Sequence, residues 1–322
     1  LGNFSDETNI KSRDEFQTVL FGQNPSGSMI DFYREISYGQ FELSGMVYGW
    51  FGSDQNKAYY VDKNAPYEFV RDIAAKADPT VNYANYDNDG PDGVPNSGDD
   101  DGYVDAVYVI CPGYEDNEAF HAHMWTLESS GLGEYETDDP AIGGGNIKIN
   151  TYAITEELFS GDSENYVIQP IGTLCHEFGH ILGLPDLYDR TGDDQEPDFR
   201  NSEGLGQWCL MGSGNYGADG GTPSRPVQMS AWCKIQMGWT SPTVVSSNGQ
   251  VSLAQVETNP TALKIWEDSY HSFRYFLIEN RQAAGFDRDV PNPGMLIYHV
   301  DESRTWDMDA YAGPGNDDYR MK

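Results

Sequence analysis

His176-Glu177-Phe178-Gly179-His180-Ile181-Leu182-Gly183-Leu184-Pro185-Asp186 is the stretch from which the rest of the chain is read. On a helix, residues four apart differ by about 40° of rotation, so His176 and His180 project from one face and reach a common metal at about 2.0–2.1 Å. Glu177 stands beside them, off their line, where a carboxylate addresses a metal-bound water without becoming a ligand. A catalytic zinc needs a third protein ligand and one open position. Gly183 suits the left-handed residue that ends a helix, and Pro185 stops its continuation, which turns Asp186 back toward the same metal. The competing third ligand is a downstream glutamate on another helix, for which Glu203 is the nearest candidate.

Working outward, helical spacing covers Asp14 to Phe21, Ser28 to Ile36 with Ser28 as N-cap, Tyr67 to Ala77, and Gln169 to Leu182. Phe41 to Phe51 alternates as a strand or hairpin would, and Val104 to Ile110 and Asn146 to Ile154 read as strands. The alternation of Asn146 to Ile154 suggests a sheet edge onto which an extended peptide pairs, with an internal strand as the alternative. Past Trp239 the pattern turns mostly β: Val244 to Leu253, Leu263 to Trp266, Arg274 to Glu279 and Met295 to Val300. The reading is an α+β fold: residues 1–239 form a domain with a mixed sheet and an active-site helix, and residues 240–322 a β-rich extension packed on it.

Composition narrows the setting. Nineteen Lys and Arg against 52 Asp and Glu give a net charge of −33, which repels phosphate backbones and excludes nucleic acid as a partner. A hydrophobic content of 38% with 21 Tyr is that of a folded chain. No apolar run is long enough to span a membrane, and no basic-then-apolar leader opens the sequence, so a mature or trimmed form is expected. Acidic groups at this density either stay hydrated or bind cations, and Ca²⁺ is the oxygen-seeking ion that extracellular fluids supply. A secreted or cell-surface location follows as the expectation.

The spacing His176-x-x-x-His180-x-x-Gly183-x-x-Asp186 resembles the metzincin signature with Asp in place of the more usual third His, as in the immune inhibitor A family of bacterial metallopeptidases. Ser28 to Tyr33, Ser37 to Phe41, Leu184 to Asp189 and Phe276 to Arg281 are similar to segments of that family, so the resemblance covers most of the chain. It implies a metzincin-like fold and a methionine turn beneath the metal, for which Trp208-Cys209-Leu210-Met211-Gly212-Ser213-Gly214 is the match and Met211 the methionine; an ordinary core methionine is the alternative.

Asn85 to Asp105 holds seven Asp and no basic residue. Ser97-x-Asp99-x-Asp101-Gly102-x-x-Asp105 spaces oxygen donors like an EF-hand loop, and Asn85-x-Asp87-x-Asp89-Gly90 is a partial copy. Neither carries the Glu expected at the twelfth position. Asp87, Asp89, Asp99, Asp101 and Asp105 are therefore candidates for one or two structural Ca²⁺ ions, a hydrated acidic loop being the alternative, and Asp189, Asp193 and Asp194 a weaker candidate. The four cysteines, Cys111, Cys175, Cys209 and Cys233, allow three pairings; Cys175 and Cys233 fall on expected helices and suit a bridge, and buried free thiols are the other reading. His121 and His123 are expected in structural roles and His271 in a loop.

Zinc chemistry and resemblance lead to one expectation: a secreted, monomeric zinc endopeptidase acting on protein or peptide substrates, with Glu177 as general base. The alternative is a catalytically silent, calcium-stabilised binding or adhesion module on the same fold. Tyr216 is a candidate oxyanion donor, with a pocket wall as its competing role.

Overall fold

The computed structural model describes residues 1–114, 119–160, 166–188, 203–268 and 273–302. Asp189, Asp193, Asp194 and His271 lie outside the described residues. In chain order the elements are β1 (Gly2–Asn3), α1 (Arg13–Phe21), α2 (Met29–Ile36), β2 (Phe51–Gly52), α3 (Lys57–Asp62), α4 (Pro66–Ala77), β3 (Val107–Tyr114), β4 (His123–Thr126), β5 (Tyr135–Pro140), β6 (Asn146–Ile149), β7 (Thr151–Ser160), β8 (Tyr166–Ile168), α5 (Ile171–Ile181), α6 (Ala231–Gln236), β9 (Thr243–Val244), β10 (Leu263–Trp266), β11 (Arg274–Arg281) and β12 (Gly294–Asp301). The protein is α+β, and it divides into two compact units: Leu1–Phe21 with Gly45–Pro170, and Gly22–Ser44 with Ile171–Lys322.

The first unit is organised on β7, which pairs parallel with β3 and antiparallel with β4 and β8. A knot of aromatic rings fills its core: Phe4 lies 4.6 Å from Phe69 and 5.1 Å from Phe120, and Tyr60 lies 5.3 Å from Phe69. Edge-on and tilted ring pairs of this kind add to the area they bury. The run expected as one strand over Asn146 to Ile154 is two. Asn150 breaks it by accepting the Glu128 N–H on Oδ1 and the Leu127 N–H on its carbonyl. β6 then pairs with β5 in a two-stranded sheet, whereas β7 is interior to its sheet, so the reading of the run as a peptide-binding edge fails for residues 151–154.

Phe41 to Phe51 is also not a hairpin. The stretch is divided between the units: Phe41 packs in the second unit, 5.9 Å from both Tyr33 and Trp239, while residues 45–51 belong to the first. There the Val47 N–H goes to Gln17 Oε1, the Trp50 indole to Lys11 O and the Phe51 N–H to Leu1 O, so these polar groups are satisfied without a strand partner. Only Phe51 and Gly52 pair, with Gly2 and Asn3.

In the second unit, α2 opens with a capping box in which Ser28 Oγ accepts the Asp31 N–H and Asp31 accepts the Ser28 N–H. Its Tyr33 hydroxyl donates to Cys175 O in α5 at 2.7 Å. Ten of the eleven residues of α5 are buried, the state of a helix that is apolar nearly all round. The β12-β11-β10-β9 sheet completes the unit. From β11, the fully buried Arg281 forks onto Asp287 at 2.5 and 2.7 Å and reaches Trp208 O at 3.1 Å. That bond ties the sheet to the segment carrying Met211.

Candidate metal centre

α5 holds His176 and His180 one turn apart and ends at Ile181. Gly183 follows with φ +91°, the left-handed region that glycine enters without penalty, and its N–H donates to His180 O while that of Leu184 donates to Gly179 O. The reversal carries Asp186 back to the helix. Asp186 Oδ1 lies 3.0 Å from His176 Nε2 and 3.3 Å from His180 Nε2, and the two Nε2 atoms are 3.1 Å apart. All three side chains are buried.

The other ring nitrogens explain the orientation. His176 Nδ1 is 2.8 Å from Leu210 O and His180 Nδ1 is 2.7 Å from Leu184 O, and a carbonyl can only accept, so each Nδ1 carries a proton. Both Nε2 atoms are thereby turned toward one point, the arrangement in which backbone acceptors fix ligand tautomers. Tetrahedral ligands at about 2.1 Å would stand about 3.4 Å from one another. The observed triangle is within a few tenths of an ångström of that, so the donor set fits zinc. Burial lowers the His176 pKa, but the Asp186 hydrogen bond, the charges of Glu177 and Asp186 and the Leu210 carbonyl outweigh it and lift the pKa to about 9. Burial likewise raises Asp186, and the two imidazoles overcome it and hold that carboxyl well below its ordinary range.

Glu177 is buried, with a carboxylate oxygen within 4.8 Å of a ring nitrogen of each histidine. Glu203 is exposed. Met211 is fully buried under α5: a Cβ on Gly179 would meet its Sδ at 2.5 Å, so the glycine between the histidines permits the close approach. The turn around it is tight, with the Gly212 and Gly214 N–H groups both on Cys209 O. Tyr216 is 40% exposed. Two further contributions lie outside the residues that the motif specifies. The Leu210 and Leu184 carbonyls anchor the imidazoles, and Tyr188 stacks on the His176 ring at 6.5 Å. Backbone acceptors leave no trace in residue type; Tyr188, two residues past Asp186, could have been suspected from its position.

A model of the catalytic domain described as immune inhibitor A peptidase M6 matches residues 7–240. The chain belongs to the immune inhibitor A peptidase M6 family. Among curated relatives, a pre-pro-metalloprotease PrtV of Vibrio cholerae is 29% identical over 294 residues, covering 80% of this chain and 29% of that protein. Immune inhibitor A of Bacillus thuringiensis subsp. alesti is 25% identical over 241 residues, 64% of this chain and 32% of that one. The chain thus spans about a third of the length of these relatives. The M6 match includes both the histidine helix and the acidic loop.

That loop, in the first unit, brings Asp87, Asp89 and Asp101 together, with carboxylate oxygens within 4.8 Å of one another. Asp99 and Asp105 are engaged otherwise: Asp99 accepts the Ser97 hydroxyl and the Asp92 N–H, and Asp105 accepts the Asn88 N–H at 3.0 Å. Asp87 is 1% exposed, and among the described residues its Oδ1 has no hydrogen-bond partner. Burial, then the charges of Asp100, Asp101, Asp89 and Asp105, push its pKa up to about 6. An orphaned carboxylate oxygen among like charges calls for a cation, and hard oxygen donors suit Ca²⁺. Asp78, Asp138 and Asp139 also converge, but Asp78 accepts from Tyr135 Oη and Asp139 from the Tyr83 N–H, which answers their need. No helix among the described residues is long and apolar enough to cross a membrane.

Proposed function

We propose that the protein is a secreted, monomeric zinc endopeptidase of metzincin type, with residues 1–239 as its catalytic domain and 240–322 as a β-rich extension. His176 Nε2, His180 Nε2 and Asp186 Oδ1 are the zinc ligands, and Met211 is the floor beneath them. Zinc, when bound, supplies Lewis acidity that makes a water acidic near neutral pH and polarises a peptide carbonyl. Glu177 takes the proton of that water on a carboxylate oxygen and hands it to the leaving amine nitrogen. The Nδ1 bonds to Leu210 O and Leu184 O keep both imidazoles aimed throughout the cycle.

The observation that carries the reading is the buried triangle of two Nε2 atoms and Asp186 Oδ1, with a Glu177 carboxylate oxygen within 4.8 Å of a nitrogen of each imidazole. Membership of a metallopeptidase family supports peptide-bond hydrolysis, and retention of Glu177 favours an enzyme over a silent binding module. Asp87, Asp89 and Asp101 hold a structural Ca²⁺, supported by the orphaned Asp87 oxygen; with the charge of −33, this suits extracellular fluid. The test is incubation of metal-replete protein with a denatured protein, with and without a zinc chelator. Chelator-sensitive internal cleavage is expected; its absence at high enzyme concentration sinks the proposal in favour of the binding module.

A further inference from the structure

All four cysteines are buried thiols, and they do not have equivalent surroundings. Cys111 Sγ lies 3.6 Å from Thr155 O in the first unit, and Cys175 sits in α5. Cys209 and Cys233 face one another in the second unit with 3.9 Å between sulfurs, at van der Waals contact. Ser230 lies between them as N-cap of α6, its N–H donating to Cys209 Sγ at 3.3 Å and its hydroxyl to Cys233 Sγ at 3.4 Å. Among the described residues this is the one sulfur pair within reach of bonding.

We propose that Cys209 and Cys233 are a disulfide-forming pair, oxidised by a low-molecular-weight disulfide and linking the methionine turn to α6. The pairing differs from the Cys175–Cys233 bridge that the sequence left open beside buried free thiols, because tertiary packing brings the methionine turn, not α5, to the buried face of α6 where Cys233 lies. A bond of about 2.05 Å requires the two sulfurs to close from their 3.9 Å separation by rotation of the side chains. Ser230 favours the chemistry, since N–H and O–H donors aimed at sulfur stabilise the thiolate, the attacking species. Burial alone raises both thiols, but the hydrogen bonds from Cys233 and Ser230 bring Cys209 below its ordinary value while Cys233 stays above.

The exchange balances with oxidised glutathione as oxidant. The Cys209 thiolate attacks one glutathione sulfur, forming a mixed disulfide and expelling one glutathione thiolate. The Cys233 thiolate then attacks Cys209 Sγ and expels the second. Two protons pass from the cysteines to the two glutathiones, and the two-electron oxidation of the protein matches the reduction of one disulfide. Both side chains are buried in the fold, so the steps run during folding or local opening. The bond fixes the residue just before Leu210, whose carbonyl holds His176 Nδ1. It requires an oxidant and no substrate, so it stands apart from the peptidase reading.

The experiment refolds the full chain in a buffer of reduced and oxidised glutathione, quenches with acid, denatures, alkylates without reduction and maps the peptides by mass. Two of the four cysteines are expected to resist alkylation, in a Cys209–Cys233 linked pair that is two hydrogens lighter than its thiols and separates on reduction. Cys209→Ser and Cys233→Ser should each abolish the linked pair and leave every remaining cysteine alkylated. Alkylation of all four in the unsubstituted chain, or a linked pair containing Cys111 or Cys175, overturns the proposal. Because the readout is made on denatured protein, a variant that folds poorly still reports.

Discussion

The histidine helix and the acidic loop both gather ligand atoms at a point, and they do so by opposite means. At α5 the donors are two imidazoles and one carboxylate, each imidazole locked by a backbone carbonyl on its far side. At the loop they are three carboxylates, one of them buried with an oxygen that bonds to nothing among the described residues. The first arrangement sets no like charges against each other among its ligand atoms, one carboxylate lying beside two imidazoles. The second does so: like charges repel, and a buried carboxylate is costly without a partner. A preformed site therefore suits a catalytic metal, and a strained one suits an ion that holds a fold together.

The largest test of this contrast is Asp186→Asn. It should strip zinc, measured by metal analysis, and reduce proteolysis to the blank while the far-UV spectrum stays; retained zinc would break the ligand assignment. Glu177→Gln comes next, with turnover falling about 10²–10⁴-fold at unchanged zinc content. Equal loss of metal and activity would make Glu177 a ligand rather than a base.

Calcium chelation with zinc held replete should act on stability instead. An ion present at about 100 times its Kd stabilises by about 2.7 kcal/mol, so Tm should fall by several degrees. An unchanged Tm would leave the loop a hydrated acidic segment. pH gives a smaller and more specific effect. Asp87 binds its proton more tightly folded, at about 6, than unfolded, at about 3.9. Its contribution in the calcium-free protein is full below the unfolded value and is lost as pH rises through about 6. Calcium-free protein should thus gain Tm on going from pH 7 to pH 5 by more than Asp87→Asn does; equal gains would remove Asp87 as the source. Glu203→Gln should change neither zinc nor activity, and any zinc loss there would reopen the choice of third ligand.

The two sites were legible from the sequence to different degrees. Around His176 the determinants are local: helix period, a left-handed glycine and a proline set the direction of Asp186 within eleven residues. In the acidic loop the spacing pointed to five aspartates, yet the fold converges three of them, and backbone N–H groups are accepted by Asp89 and Asp101 of those three as well as by Asp99 and Asp105. Oxygen donors satisfy backbone amides as readily as they satisfy cations, and periodicity does not separate the two uses. The break at Asn150 escaped for a related reason: alternation on both sides of it is strand-like, and only its bonds to residues 127 and 128 interrupt the run.

By itself, then, the sequence determined the α5 helix, its termination at Gly183, the chemistry of its donors and the acidic character of the loop, because each follows from interactions among residues close in the chain. Tertiary structure alone decided that the Leu210 carbonyl holds the His176 imidazole, that Met211 lies against Gly179, that β7 is interior, and that Cys209 faces Cys233. These are contacts between segments far apart in the chain, set by how whole faces pack, and no local pattern encodes which faces meet.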